Sequence, residues 1–159
     1  MHSWAAVLGC VSVRRIVCFA RAGSGAGWAL HANDRREMLS SEDRQAVDTI
    51  EEASTAVLTL AEGLEQTELL GSRLTKLEIR RQLLSAVDAH AALSARAREA
   101  MEELDFSGWA SVGQRIREGG ESEINASWMA IQAMAPATLG WIRFYKSQKP
   151  ELFTPPDEE

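Results

Sequence analysis

From residue 40 onward, apolar positions recur every three or four residues, the spacing of one face of an α-helix. Val47, Ile50, Val57, Ala61 and Leu64 form one such stripe, with Ser54 standing where an apolar residue is expected. The chain ahead of it reads Ser40-Ser41-Glu42-Asp43. A serine there satisfies free helix N–H groups, and the acids face the positive end of the dipole, so the helix starts at Ser40 or Ser41. Gly63 stops it. A second stripe, Leu74, Leu77, Leu84, Val87 and Ala91, broadened by Ile79 and Leu83, predicts a helix over about 72–93. Helix continues or restarts over 95–104, and residues 105–108 form a turn. Ser107 caps a third helix over about 108–118, which Gly119-Gly120 ends. Ser122 or Asn125 caps a fourth, with Ile124, Trp128, Ile131, Leu139 and Ile142 turned inward. Pro136 should kink or restart it, because proline has no N–H to donate. Trp141, Phe144 and Tyr145 are its aromatic end. The only strand candidate is the short run 11–19, and no repeat is visible. The pattern predicts an all-α, antiparallel up-and-down bundle of four or five helices over about 40–148.

Composition agrees with that fold and narrows the function classes. The chain has 159 residues, the size of one domain. Three of its four prolines fall in the last ten residues, which leaves the middle free for long helices. Residues 1–37 carry five arginines against two acids, whereas 38–159 carry 12 basic and 21 acidic residues. An acidic body argues against a broad nucleic-acid platform, which needs clustered cations. Arg115 and Arg117 remain as a local basic patch that can meet RNA or an acidic face of a partner. Cys10 and Cys18 both lie in the N-terminal segment, so no disulfide staples the body. That fits a reducing, cytoplasmic location. No run approaches the ~20 apolar residues of a membrane span, so no membrane partner is expected.

The N-terminal extension, residues 1–37, breaks from the rest in composition. Arg14-Arg15 interrupts the apolar stretch that a secretory signal needs. An organelle presequence fits the Arg-rich, acid-poor composition better. The favoured reading is translated upstream sequence ahead of a natural start at Met38, which makes 1–37 dispensable. Residues 149–159 read as a polar C-terminal tail.

One stretch carries a recognisable motif. Trp109 is followed by Gly113-Gln114-Arg115, then Trp128, then Pro136 eight residues on. Arg81-Gln82-Leu83, Asp88, Leu93-Ser94 and the opening Met38-Leu39-Ser40-Ser41 add weaker matches. The chain thus resembles the HepT-like family, helical-bundle ribonuclease toxins partnered with minimal nucleotidyltransferase antitoxins. The resemblance covers most of the body and is strongest over 109–136. It implies a homodimer packed through helix faces and a nucleotidyltransferase partner in a toxin–antitoxin system. The family also shows a His-x-Tyr, with the His five and the Tyr seven residues after the Arg. Here those places hold Gly120 and Ser122. The degenerate motif puts ribonuclease activity in doubt.

Arg115 is the remnant catalytic candidate, and Arg117 is a candidate binding residue. A guanidinium holds a phosphate through forked donors. Metal-independent RNA cleavage also needs a group that titrates near neutral pH to move the 2′-OH proton, usually a His. His90 is the one imidazole after Met38 and could replace the missing His if a helix pair brought it to Arg115. The plainer readings are two exposed arginines at a helix C-terminus, favoured by the dipole, and a His that packs. Trp109, Trp128 and Trp141 are either a stacking platform for bases or, more simply, core and interface anchors. No metal site is expected, for lack of a His pair, a Glu-x-x-His or a Cys pair in the body. No cofactor is expected either: Gly-rich 22–27 lacks the phosphate-loop lysine and strand–helix setting. Three readings follow: a catalytically degenerate HepT-like protein that acts by binding a partner, an active ribonuclease using Arg115 and His90, and an unrelated helical interaction module.

Overall fold

A computed structural model describes residues 38–154. The extension 1–37, with the three readings of it, and residues 155–159 lie outside the described residues.

Ser40 starts the first helix as the spacing requires: its Oγ accepts from the Asp43 N–H at 3.0 Å. Helix α1 then runs Ser41–Ala61 and ends before Gly63, whose φ of +72° is left-handed and turns the chain. A short helix, α2 (Gln66–Gly71), precedes α3 (Arg73–Ala92), which Ser72 caps. The small helix α4 (Ala95–Ala100) leads to α5 (Phe106–Glu118). Helix α6 (Gly120–Met129), a π-turn at Ala130–Met134 and α7 (Ala135–Gln148) make one continuous helical rod. No strand occurs among the described residues.

Cross-helix bonds give the directions. Asp43, at the start of α1, accepts the Ser94 N–H and hydroxyl at 2.8 and 2.9 Å, just past the end of α3. Trp109 at the start of α5 stacks on His90 near the end of α3. The Trp109 indole donates to Thr138 on α7 at 3.0 Å. Lys146, near the end of α7, bonds Asp48 and Glu51 in the first half of α1 at 2.9 and 2.6 Å. The fold is therefore an all-α bundle of antiparallel, up-and-down rods: α1, α3, α5 and α6–α7.

Two apolar clusters fill it. One joins Val57, Ile79, Leu83, Trp109, Val112, Ile116 and Ile131. The other joins Val47, Ile50, Leu93, Met101, Leu104, Ile142 and Tyr145. Ser54, the apparent lapse in the first stripe, is buried with Val47, Ile50, Val57 and Ala61, whereas Leu64 lies past the helix end and is only half-buried.

Several expectations are corrected. Leu74 and Leu77 do not face inward: Leu74 is 81% exposed, Leu77 is exposed, and so is Ala91. The buried face of α3 is Ile79, Leu83, Ala86, Val87 and His90. Those residues lie at helical spacing about half a turn from Leu74 and Leu77. Asp105, not Ser107, caps α5, accepting from the Gly108 N–H at 2.8 Å, so the helix begins two residues early. Neither Ser122 nor Asn125 caps α6. Gly119 is its N-cap, and its φ of +78° reverses the chain with no room for a loop. At Pro136 the helix restarts, as expected, but without a break in the rod. The turn before it widens to a π-turn, in which the Ala135 N–H reaches back to the Ala130 carbonyl, and helix resumes with proline in its first turn. In the tail, residues 150–152 form a 3₁₀ turn, Leu152 is buried, and its carbonyl accepts the Leu39 N–H at 3.0 Å.

Candidate functional site

The residues singled out by the motif lie on α5 and at its junction with α6. Trp109, Val112, Gly113 and Ile116 form the buried face of α5, which turns Gln114, Arg115 and Arg117 to solvent. Gly113 has a structural reason. A Cβ there would sit 2.5 Å from Val87 Cγ1 and 2.9 Å from an Arg117 guanidinium nitrogen. The glycine lets α5 approach α3 closely.

Arg115 and Arg117 part company. Arg117 reaches across to α3 and bonds Asp88 Oδ1 at 2.6 Å. Both partners are more than half exposed, so water screens the pair and its contribution to stability is small. The Arg115 guanidinium has no ion pair or hydrogen bond among the described residues. Its backbone carbonyl accepts the Gly119 N–H at 3.3 Å, which closes the helix. Where the family carries a His stands Gly120, with a left-handed φ of +66°. Where it carries a Tyr stands Ser122, whose hydroxyl reaches Glu118 at 3.5 Å. Neither group titrates near neutral pH.

His90 lies elsewhere. It is 2% exposed and stacks on Trp109, ring centroids 4.9 Å apart at 22°. Phe106 meets it edge-on at 6.1 Å. Both partners belong to the first turn of α5, while Arg115 is in its last. Six residues from Trp109 to Arg115, at ~1.5 Å rise each, separate them by about 9 Å along the axis. The structure thus brings His90 to Trp109, not to Arg115. Nδ1 lies 2.7 Å from the Ala86 carbonyl, so it carries the proton; Nε2 is buried without a hydrogen-bond partner. Burial pushes the imidazole down from its ordinary 6.5 to about 4. The Ala86 carbonyl works against that shift, and the nearby Arg98 guanidinium works with it. At neutral pH this imidazole is uncharged and enclosed.

The tryptophans divide in the same way. Trp109 is 1% exposed and bonded to Thr138, so it is a core residue. Trp128 is half-buried against the core. Trp141 is exposed on α7 beside the exposed Phe144, and Met129 is exposed on α6. Sequence reasoning missed Asp43, a buried carboxylate that receives bonds from Ser40 and Ser94. Burial opposes its charge, but the Ser94 and Ser40 donors prevail and hold its pKa below the usual carboxylate value. No local pattern could reveal this, because Ser94 is 51 residues away.

A scan against protein-family models finds no match for this chain, and neither a search of the curated proteins nor one of the solved structures finds any. No helix among the described residues is long and apolar enough to cross a membrane.

Proposed function

We propose that this chain is a catalytically degenerate HepT-like protein that works by binding a partner protein. The observation that carries the reading is the surroundings of Arg115. The motif places for His and Tyr hold Gly120 and Ser122, and the body's one imidazole is stacked in the core. An arginine alone can hold a phosphate. Binding the ground state and transition state alike does not speed cleavage. The partner expected from the resemblance is a minimal nucleotidyltransferase antitoxin. A neighbouring gene for such a protein separates this reading from an unrelated helical interaction module. Expressed without a partner, the chain should leave cell growth unchanged. Growth arrest that Arg115→Ala relieves would overturn the proposal and point to an active ribonuclease toxin.

The same reading includes a homodimer. Exposed Leu74 and Leu77 on α3 are the apolar face available to it. Large exposed apolar side chains in groups mark interaction surfaces. Light scattering on the full chain at micromolar concentration should give twice the monomer mass. A monomer mass at every concentration rejects the dimer.

A further inference from the structure

Away from Arg115, the connection between α4 and α5, the π-turn and the start of α7 line an open cavity of about 150 Å³. The buried Leu104, Trp109 and Thr138 line its base, and the exposed small side chains Ala133 and Ala137, with Met134, line its side. One wall is Trp141. The partly exposed indole meets Phe144 edge-on, centroids 5.6 Å apart at 89°, which fixes its orientation. The rim carries two exposed carboxylates, Glu103 and Asp105. The π-turn contributes directly, because Ala133 and Met134 belong to it. Such insertions recur at functional sites.

A mostly apolar lining, an indole wall and an acidic rim together describe an amphipathic, cationic occupant. A long basic side chain lays its alkyl stem along apolar surface and keeps its charged head at the water boundary. An indole attracts a cation at close range. A carboxylate pairs with it through charge-assisted bonds. Arginine fits better than lysine, since the planar guanidinium both stacks on an aromatic ring and forks onto carboxylates. The acidic body, with 21 acids against 12 bases over 38–159, draws a basic partner to this surface. We propose that this cavity receives an arginine side chain of a partner protein. This rests on the partner-binding reading above and names the chemistry of the partner.

The test is a titration of the isotope-labelled full chain with Nα-acetyl-arginine N-methylamide, followed by nuclear magnetic resonance. The expected result is a saturable shift of the Trp141 indole N–H and the Ala137 amide. The citrulline analogue, same shape without charge, should bind about tenfold more weakly or worse. Ala137→Leu fills the cavity from an exposed position and should abolish the shift; Glu103→Gln should weaken it several-fold. Absence of a shift at Trp141, equal binding of the citrulline analogue, or an unchanged shift in Ala137→Leu overturns the proposal. RNA cleavage is a separate readout. A chain that cleaves RNA refutes the binding reading, whereas a failed titration removes the arginine cavity alone.

Discussion

Trp109→Ala should destabilise the bundle by about 3–5 kcal/mol, the cost of deleting a buried large aromatic side chain. Two further losses act in the same direction. The indole N–H is the donor to Thr138, so the variant leaves a buried hydroxyl on α7 without its bond. The indole face also covers His90, so a cavity opens against a buried imidazole whose Nε2 already lacks a partner. Trp109 touches α3 through His90 and α7 through Thr138, so its removal loosens three rods together. Urea unfolding of the variant against the parent chain measures this. Trp141→Ala is the comparison, because that ring is partly exposed and should cost less than about 1 kcal/mol. A Trp109→Ala loss as small as that of Trp141→Ala would mean that the central layer is not packed as described.

The second large effect is a loss of stability on mild acidification. Folded His90 takes up its proton only near pH 4, whereas the unfolded chain takes it up near 6.5. Between those values the unfolded state binds more protons, so stability rises with pH across that window and falls as pH drops through it. The span of about two and a half units corresponds to about 3 kcal/mol. Asp43 contributes on the acid side of the window: its folded pKa is depressed, so its stabilisation is lost as pH falls below the ordinary carboxylate value. His90→Phe keeps an aromatic ring on Trp109 and removes the titrating group. Unfolding free energies measured from pH 7 to pH 4 should fall steeply in the parent chain and stay nearly level in the variant. Identical slopes in the two chains would show that His90 is not the group responsible.

That the chain is helical, and roughly where each long helix lies, was legible from apolar spacing, while the caps of α5 and α6 were not. Val47, Ile50 and Val57 mark the buried face of α1, Ser40 its start, and Gly119-Gly120 the break before α6. The reading of α3 failed because it followed the leucines. Leu74 and Leu77 have the right spacing for a core stripe, yet the core side is partly built of small residues, Ala86 and Ala89 beside Ile79 and Leu83. Close helix packing is carried by those small side chains, and a pattern of large apolar residues does not register them. The candidate site was legible only in part. Trp109, Gly113 and Arg115 are neighbours in sequence and stay on one helix. His90 and Trp109 meet only because α3 and α5 pack side by side. The cavity combines Glu103 and Asp105 with Trp141, from segments more than thirty residues apart, and no periodicity links them.

Adding the purified full chain to RNA at neutral pH tests most directly whether it binds without cleaving. Losing a general base typically lowers a rate by about 10²–10⁴-fold, so the RNA should remain intact over hours. Cleavage by the parent chain that both Arg115→Ala and His90→Ala abolish would contradict the account.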